Sequence, residues 1–149
     1  MLDEQIQQII DKAIDHVVPP SVIEKSVAPI LKSYAQKVSH EAYYLVVNQK
    51  NDLLIRIIQS SLDPSKEKRV IYAFADSNTG LKFLSSPTNS LKLIPITHLL
   101  FDLFAIESWD ELIFVDPMSK GTTVEIKRLE IFQDIQKKIK EQFPPLNYC

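Results

Sequence analysis

From Leu91 to Gln142 the chain switches between strand-like and helix-like patterns with little between them, and this alternation constrains the fold most tightly. SLKLIPITHLLFDLF reads as a strand over Leu91–Ile96 followed by a helix, with Thr97 placed to cap it. DELIFVDP contains a strand, Glu111–Val115, that is apolar on both faces and therefore belongs inside a sheet. Thr122–Ile126 is a more polar last strand, reached through DPMSKGT with Gly121 supplying the turn. VEIKRLEIFQDIQKKI then makes a long amphipathic helix. Its spacing predicts burial of Leu129, Phe132, Ile135, Ile139 and Phe143, with Lys137, Lys138 and Lys140 toward its negative end. Pro144-Pro145 terminates it.

The residues before Leu91 divide at about residue 40. Ile6, Ile9, Ile10, Ala13, Ile14 and Val17 recur at three- and four-residue spacing, which predicts an amphipathic helix over residues 3–17, stopped by Pro19-Pro20. Ser21–Val38 is a second helical region. Either it restarts at Pro29 behind a Ser26 cap, or it is one kinked helix. From Glu41 the pattern turns to strands. EAYYLVVN and LLIRIIQ, separated by QKND, suggest a hairpin with strands at 42–48 and 53–59, although a short helix from Asp52 fits the second run as well. RVIYAFA at 69–75 is a third strand, and DSNTGLKFLSS a loop or short helix. The whole is an α+β domain spanning 1–149: a mixed sheet of about five or six strands packed by helices, with an N-terminal helical region over 1–38.

Composition narrows the function by exclusion. With 45% apolar and 24% charged residues the 149-residue chain is of ordinary globular type, and a formal charge of −2 offers nucleic acid no general attraction. Only Gly80 and Gly121 are present, so neither GxGxxG nor GxxxxGK[ST] occurs, and no phosphate-binding loop or cofactor motif is expected. No apolar run approaches the ~18–20 residues needed to span a bilayer. The N-terminus lacks a signal-peptide pattern, and Cys149 is the lone cysteine. A cytoplasmic protein, with no membrane or nucleic-acid partner, is the expectation.

Several motifs resemble those of the SseB family (enhanced serine sensitivity proteins). They are a strand entering Ile94-Pro95, a short Leu/Phe-rich helix, a strand ending at Asp116-Pro117 where that family has an Asn-Pro-like corner, the loop with Gly121, and a strand leading into Arg128-Leu129-Glu130. Upstream, VIYAFADSNTGLKFL is similar to the family's strand and helix start, with Asp76-Ser77 in place of Thr-Ser. The resemblance covers roughly residues 40–141, and 40–143 would form a domain of the family's N-terminal type. It implies a mixed α/β domain, one such domain rather than two, and no established catalytic residues.

Read for chemistry, the chain offers a few weak candidates. His98 at a helix start could act as a general base, and Asp110 and Asp116 belong to an acidic series with Asp102, Glu107 and Glu111. Zinc would want closely spaced ligands, which His16, His40 and His98 do not provide, so no metal site is assigned. Trp109 and Phe104 are the candidate binding residues, as apolar anchors for a partner, against the commoner fate of aromatic side chains in their own core. These features favour a non-enzymatic, SseB-like protein-interaction module, with a protein partner or self-association through helix 3–17. The alternative is a small hydrolase or transferase using acidic residues, dependent on a divalent cation, in which His98, Asp110 and Asp116 converge.

Overall fold

The protein was analysed as a computed structural model, which describes residues 2–11, 20–59, 62–63, 65–84, 86–104, 106, 108–117 and 124–142. Six strands form one mixed sheet: β1 (Ala42–Val47), β2 (Arg56–Gln59), β3 (Glu67–Phe74), β4 (Ser90–Pro95), β5 (Glu111–Val115) and β6 (Val124–Lys127). Their order is β4-β1-β3-β5-β6, with β2 also paired to β3. Among the described residues β3 and β5 run parallel and the other pairs antiparallel. The helices are α1 (Leu2–Asp11), α2 (Pro20–Val22), α3 (Ala28–Ala35), α4 (Ser77–Leu81), α5 (Ile96–Phe104) and α6 (Arg128–Gln142), with a π-helical turn over Ile23–Val27 joining α2 to α3.

The period of two along each strand separates the faces of the sheet. Register sets Leu45 beside Ala73, Ala73 beside Phe114 and Phe114 beside Val124. With Ile71, Leu112 and Ile126 they make the face that joins Leu31, Leu99, Ile131 and Ile135 of the helices in one core. Helices α3, α5 and α6 contact one another over it. The other face carries Tyr44, Leu93, Phe74 and Val115 in one row and is met by α4, which touches β1, β3 and β4, and by Phe83 just beyond it. There Gly80 allows close approach: a Cβ added to it would lie 2.9 Å from Leu91 Cδ1.

The N-terminal region takes the second of the two forms expected of Ser21–Val38, one continuous but irregular helical run rather than a restart behind Ser26. Pro20 opens α2, and the chain stays helical through Pro29. Pro29 has no N–H to give and its ring would crowd the carbonyl four residues back. The helix accommodates it by widening just before: Ala28 N–H bonds back to Ile23 O. Ser26 is therefore no cap. It is fully buried, and its hydroxyl has no hydrogen-bond partner among the described residues. Helix α1 packs on α3 and α5 of its own chain, with Leu2 against the core. That removes the motive for assigning self-association to this helix as far as it is described; residues 12–17 of the predicted helix lie outside the described set.

Three further elements differ from the patterns that suggested them. Segment 53–59 is not a partner strand to β1 and not a helix. After a turn in which Asn48 Oδ1 accepts from Lys50 N (2.9 Å) and Asp52 N (3.0 Å), one bridge joins Val47 to Leu53, and the chain then rejoins the same edge of β3 as β2. Continuing the β1 register would set Asn48 opposite Val70, where Arg56 sits, so the excursion inserts eight residues. Thr97 lies inside α5 rather than capping it, because α5 begins at Ile96 directly from β4. In α6 the buried stripe is Ile131 and Ile135, with Ile139 partly buried, whereas Leu129 is 61% exposed. The helix starts at Arg128 with no loop after β6, and that start sets its rotational phase. Phe143 and residues 122–123 of the predicted last strand lie outside the described residues.

Candidate functional site

The parallel pair β3 and β5 directs two strand ends the same way, and the crevice outside such carboxyl ends is where open α/β sheets bind ligands. Asp76 follows β3 and Asp116 follows β5. Asp76 caps α4: its Oδ1 accepts from Thr79 N at 2.6 Å, which chiefly holds its carboxyl below the ordinary value, helped by the Thr79 hydroxyl. Burial and the nearby charge of Asp116 work the other way. Asp116 Oδ2 lies 3.1 Å from His40 Nε2 and accepts from Ser39 Oγ at 3.2 Å. The connection from α3 to β1 is thus tied to the end of β5.

Tyr43 completes this group. Its ring meets His40 edge-on at 5.6 Å and Phe114 at 4.9 Å, and its hydroxyl accepts from His40 N at 3.3 Å. Burial raises its phenol pKa, while hydrogen bonds from His40 and Ser39 pull the other way. Chemically, the cluster has a serine, a histidine and a carboxylate, but in the wrong order for nucleophilic catalysis. Ser39 donates to the carboxylate and not to the imidazole, so the imidazole base of a Ser-His-Asp relay does not rest on its hydroxyl. The arrangement serves as a clasp between a connecting segment and a strand end.

His98, Asp110 and Asp116 do not come together. Asp110 and Asp116 flank the five-residue β5, at ~3.3 Å per residue about 20 Å of chain apart. Asp110 Oδ2 accepts from Arg69 N at 2.8 Å, and its own N–H donates to Arg69 O at 2.8 Å, which starts the β3–β5 pairing. His98 Nε2 sits 3.2 Å from the Gln5 carbonyl. Trp109 is 1% exposed, its Nε1–H donating to Leu103 O at 2.9 Å, so it anchors the core and offers nothing to a partner. The Phe104 backbone ends α5, and its side chain is outside the described set.

Gln5 is the polar residue that the sequence concealed. From α1 its Oε1 accepts from Thr97 N (3.2 Å) and Thr97 Oγ1 (2.7 Å), and its Nε2 donates to Glu41 O (3.1 Å). One amide thereby satisfies the start of α5 and the entry to β1. Nothing distinguishes Gln5 from Gln7 or Gln8 in the string itself.

Among the described residues no group of three or more His, Cys, Asp or Glu side chains is placed to hold a metal ion, and no helix is long and apolar enough to cross a membrane. A recess of about 200 Å³ lies between β4, α5 and the 51–53 turn, with Lys92, Asp52 and Asp102 around Leu99 and Ile94. It falls below the roughly 300–1,000 Å³ of usual ligand sites. No protein-family model matches the chain, and no curated protein matches its sequence.

Proposed function

We infer that the chain is a non-enzymatic protein-interaction module of SseB-like type, working in the cytoplasm. The observation that carries this reading is the use made of the polar side chains. Asp110, Asp116, His40, His98 and Gln5 each join one element of the fold to another, and Asp76 caps α4. A catalytic group needs freedom to meet substrate, and these groups are occupied in holding strand ends and helix starts. The acidic hydrolase or transferase is the competing reading, and the contact of Asp116 with both His40 and Ser39 is what favours it. Its weakness is the missing imidazole base on Ser39.

The test is a turnover assay on the full chain with generic ester and phosphoester substrates, with and without Mg²⁺ or Mn²⁺, beside the Asp116→Asn variant. The expected result is no turnover above that variant. It is paired with purification of the tagged chain, in which a stoichiometric complex is expected on sizing. Metal-dependent turnover that Asp116→Asn abolishes overturns the reading.

A further inference from the structure

Among the described residues the sheet has three strands with an edge that no other strand pairs, β4, β6 and β2, and the sequence treats them differently. Natural edge strands are protected against pairing with another chain by charge, proline or irregularity. β6 carries Glu125 and Lys127, both exposed. β4 carries exposed Lys92 and closes with Pro95, which has no N–H to offer. β2, RIIQ, has none of these over Ile57–Gln59. Its one charge, Arg56, is drawn aside: Nη2 donates to Phe83 O at 2.6 Å and the guanidinium lies over the Phe83 ring. Ile57 is 62% exposed and Ile58 42%.

The hydrogen-bond phase of this edge can be read from β3. Arg69 turns both its N–H and its carbonyl toward Asp110 on the β5 side. Alternation then turns Lys68 and Val70 toward β2, where they face Ile58 and Arg56. The backbone groups of Ile57 and Gln59 consequently point outward, away from the sheet.

We propose that β2 is a self-pairing seam, at which two copies of this chain join antiparallel about a two-fold axis through Ile58. In that register Ile57 of each copy faces Gln59 of the other, and each such pair exchanges both of its main-chain hydrogen bonds. The two Ile58 side chains meet on one face in a non-hydrogen-bonded pair, about 4.5 Å apart at Cα. No like charges are opposed between Ile57 and Gln59. A heterologous strand would gain the main-chain bonds but not this symmetric apolar match, which is why a second copy is the occupant. So short a seam buries much less than the roughly 1,200 Å² of a stable interface, and the dimer is weak and concentration-dependent. The inference rests on the interaction-module reading only in naming the partner. The two fail separately, since loss of the seam leaves heterologous complexes and the turnover assay unaffected.

Two experiments on the purified full chain decide it. Sedimentation over a wide concentration range is expected to show a monomer–dimer equilibrium, with the dissociation constant raised roughly tenfold or more by Ile58→Lys, which opposes two like charges. Ile57→Pro removes an outward N–H and no bond within the sheet, so it has the same effect while circular dichroism stays unchanged. In a Cys149→Ser background, Ile58→Cys is expected to form a disulfide-linked homodimer under mild oxidation, while Leu93→Cys, comparably exposed on the β4 edge, does not. A concentration-independent monomer, a dimer indifferent to both seam variants, or equal crosslinking at positions 58 and 93 overturns the proposal.

Discussion

The two faces of the sheet are built to different standards. On one, Leu45, Ile71, Ala73, Leu112 and Ile126 are nearly or wholly buried beneath α3, α5 and α6, and the helices share the core with Trp109. On the other, five-residue α4 and Phe83 lie over Phe74 and Tyr72, while Leu93 stays 53% exposed. The difference follows from chain supply. Among the described residues α1, α3, α5 and α6 are spent on one side and short α4 on the other, so stability concentrates where coverage is fuller. The open face and its edges are left for contacts that need not hold the fold together.

Leu112→Ala provides the severest test. Removing a fully buried leucine under three helices is expected to cost about 3 kcal/mol, read from urea unfolding; a cost under ~1 would mean that the helix face is not the principal core. Gln5→Ala ranks next, at about 1–2 kcal/mol, because it orphans Thr97 N–H at the start of α5. Hydrogen exchange in α1 is expected to accelerate with it. Ser26→Ala has the opposite sign: deleting a buried hydroxyl without a partner is expected to stabilise by up to about 1 kcal/mol.

Titration separates the faces by pH. Tyr34, beneath the helices, has its phenol raised above 10.0 by burial first and then by its bond to Asp134. Its contribution is complete below about pH 10 and is lost as pH rises toward the folded value, so Tyr34→Phe is expected to flatten the alkaline limb of stability. Asp76, beside α4, is depressed below 3.8, so its contribution is present above about pH 4 and disappears as pH falls through the folded value. Asp76→Asn is expected to flatten the acid limb. Leu93→Ala marks the small end, expected within about 0.5 kcal/mol of the parent.

How much of this was legible depends on whether local pattern or distant contact decides each feature. The α+β class and most strands are visible because period-two apolar runs carry their own signal, as Tyr43, Leu45 and Val47 do in β1. The phase of α6 is not. Leu129-Phe132-Ile135 and Ile131-Ile135-Ile139 are both helical stripes, and only the abrupt start after Lys127 chooses between them. A strand within 53–59 is legible but its partner is not, because pairing belongs to two strands at once and LLIRIIQ does not reveal that its neighbour is β3. At the candidate site Asp116 stands out as a strand-end carboxylate, but its partners Ser39 and His40 come from 76 or 77 residues earlier. Gln5 is further still from local legibility, since its role exists only once α1 lies across α5.

The parallel pairing of β3 with β5 also sets a timetable for synthesis. Arg69 must wait for Asp110, made 41 residues later, with β4 leaving for the far side of β1 in between. At about 5–20 residues per second the ribosome needs roughly 2–8 s to deliver that partner. For those seconds β1, β2 and β3 have emerged beside an unsealed central strand. Non-local closure of this kind is slow in its own right, so the nascent chain's hazard lies midway through translation, at a strand whose Val70–Phe74 half the finished protein largely hides.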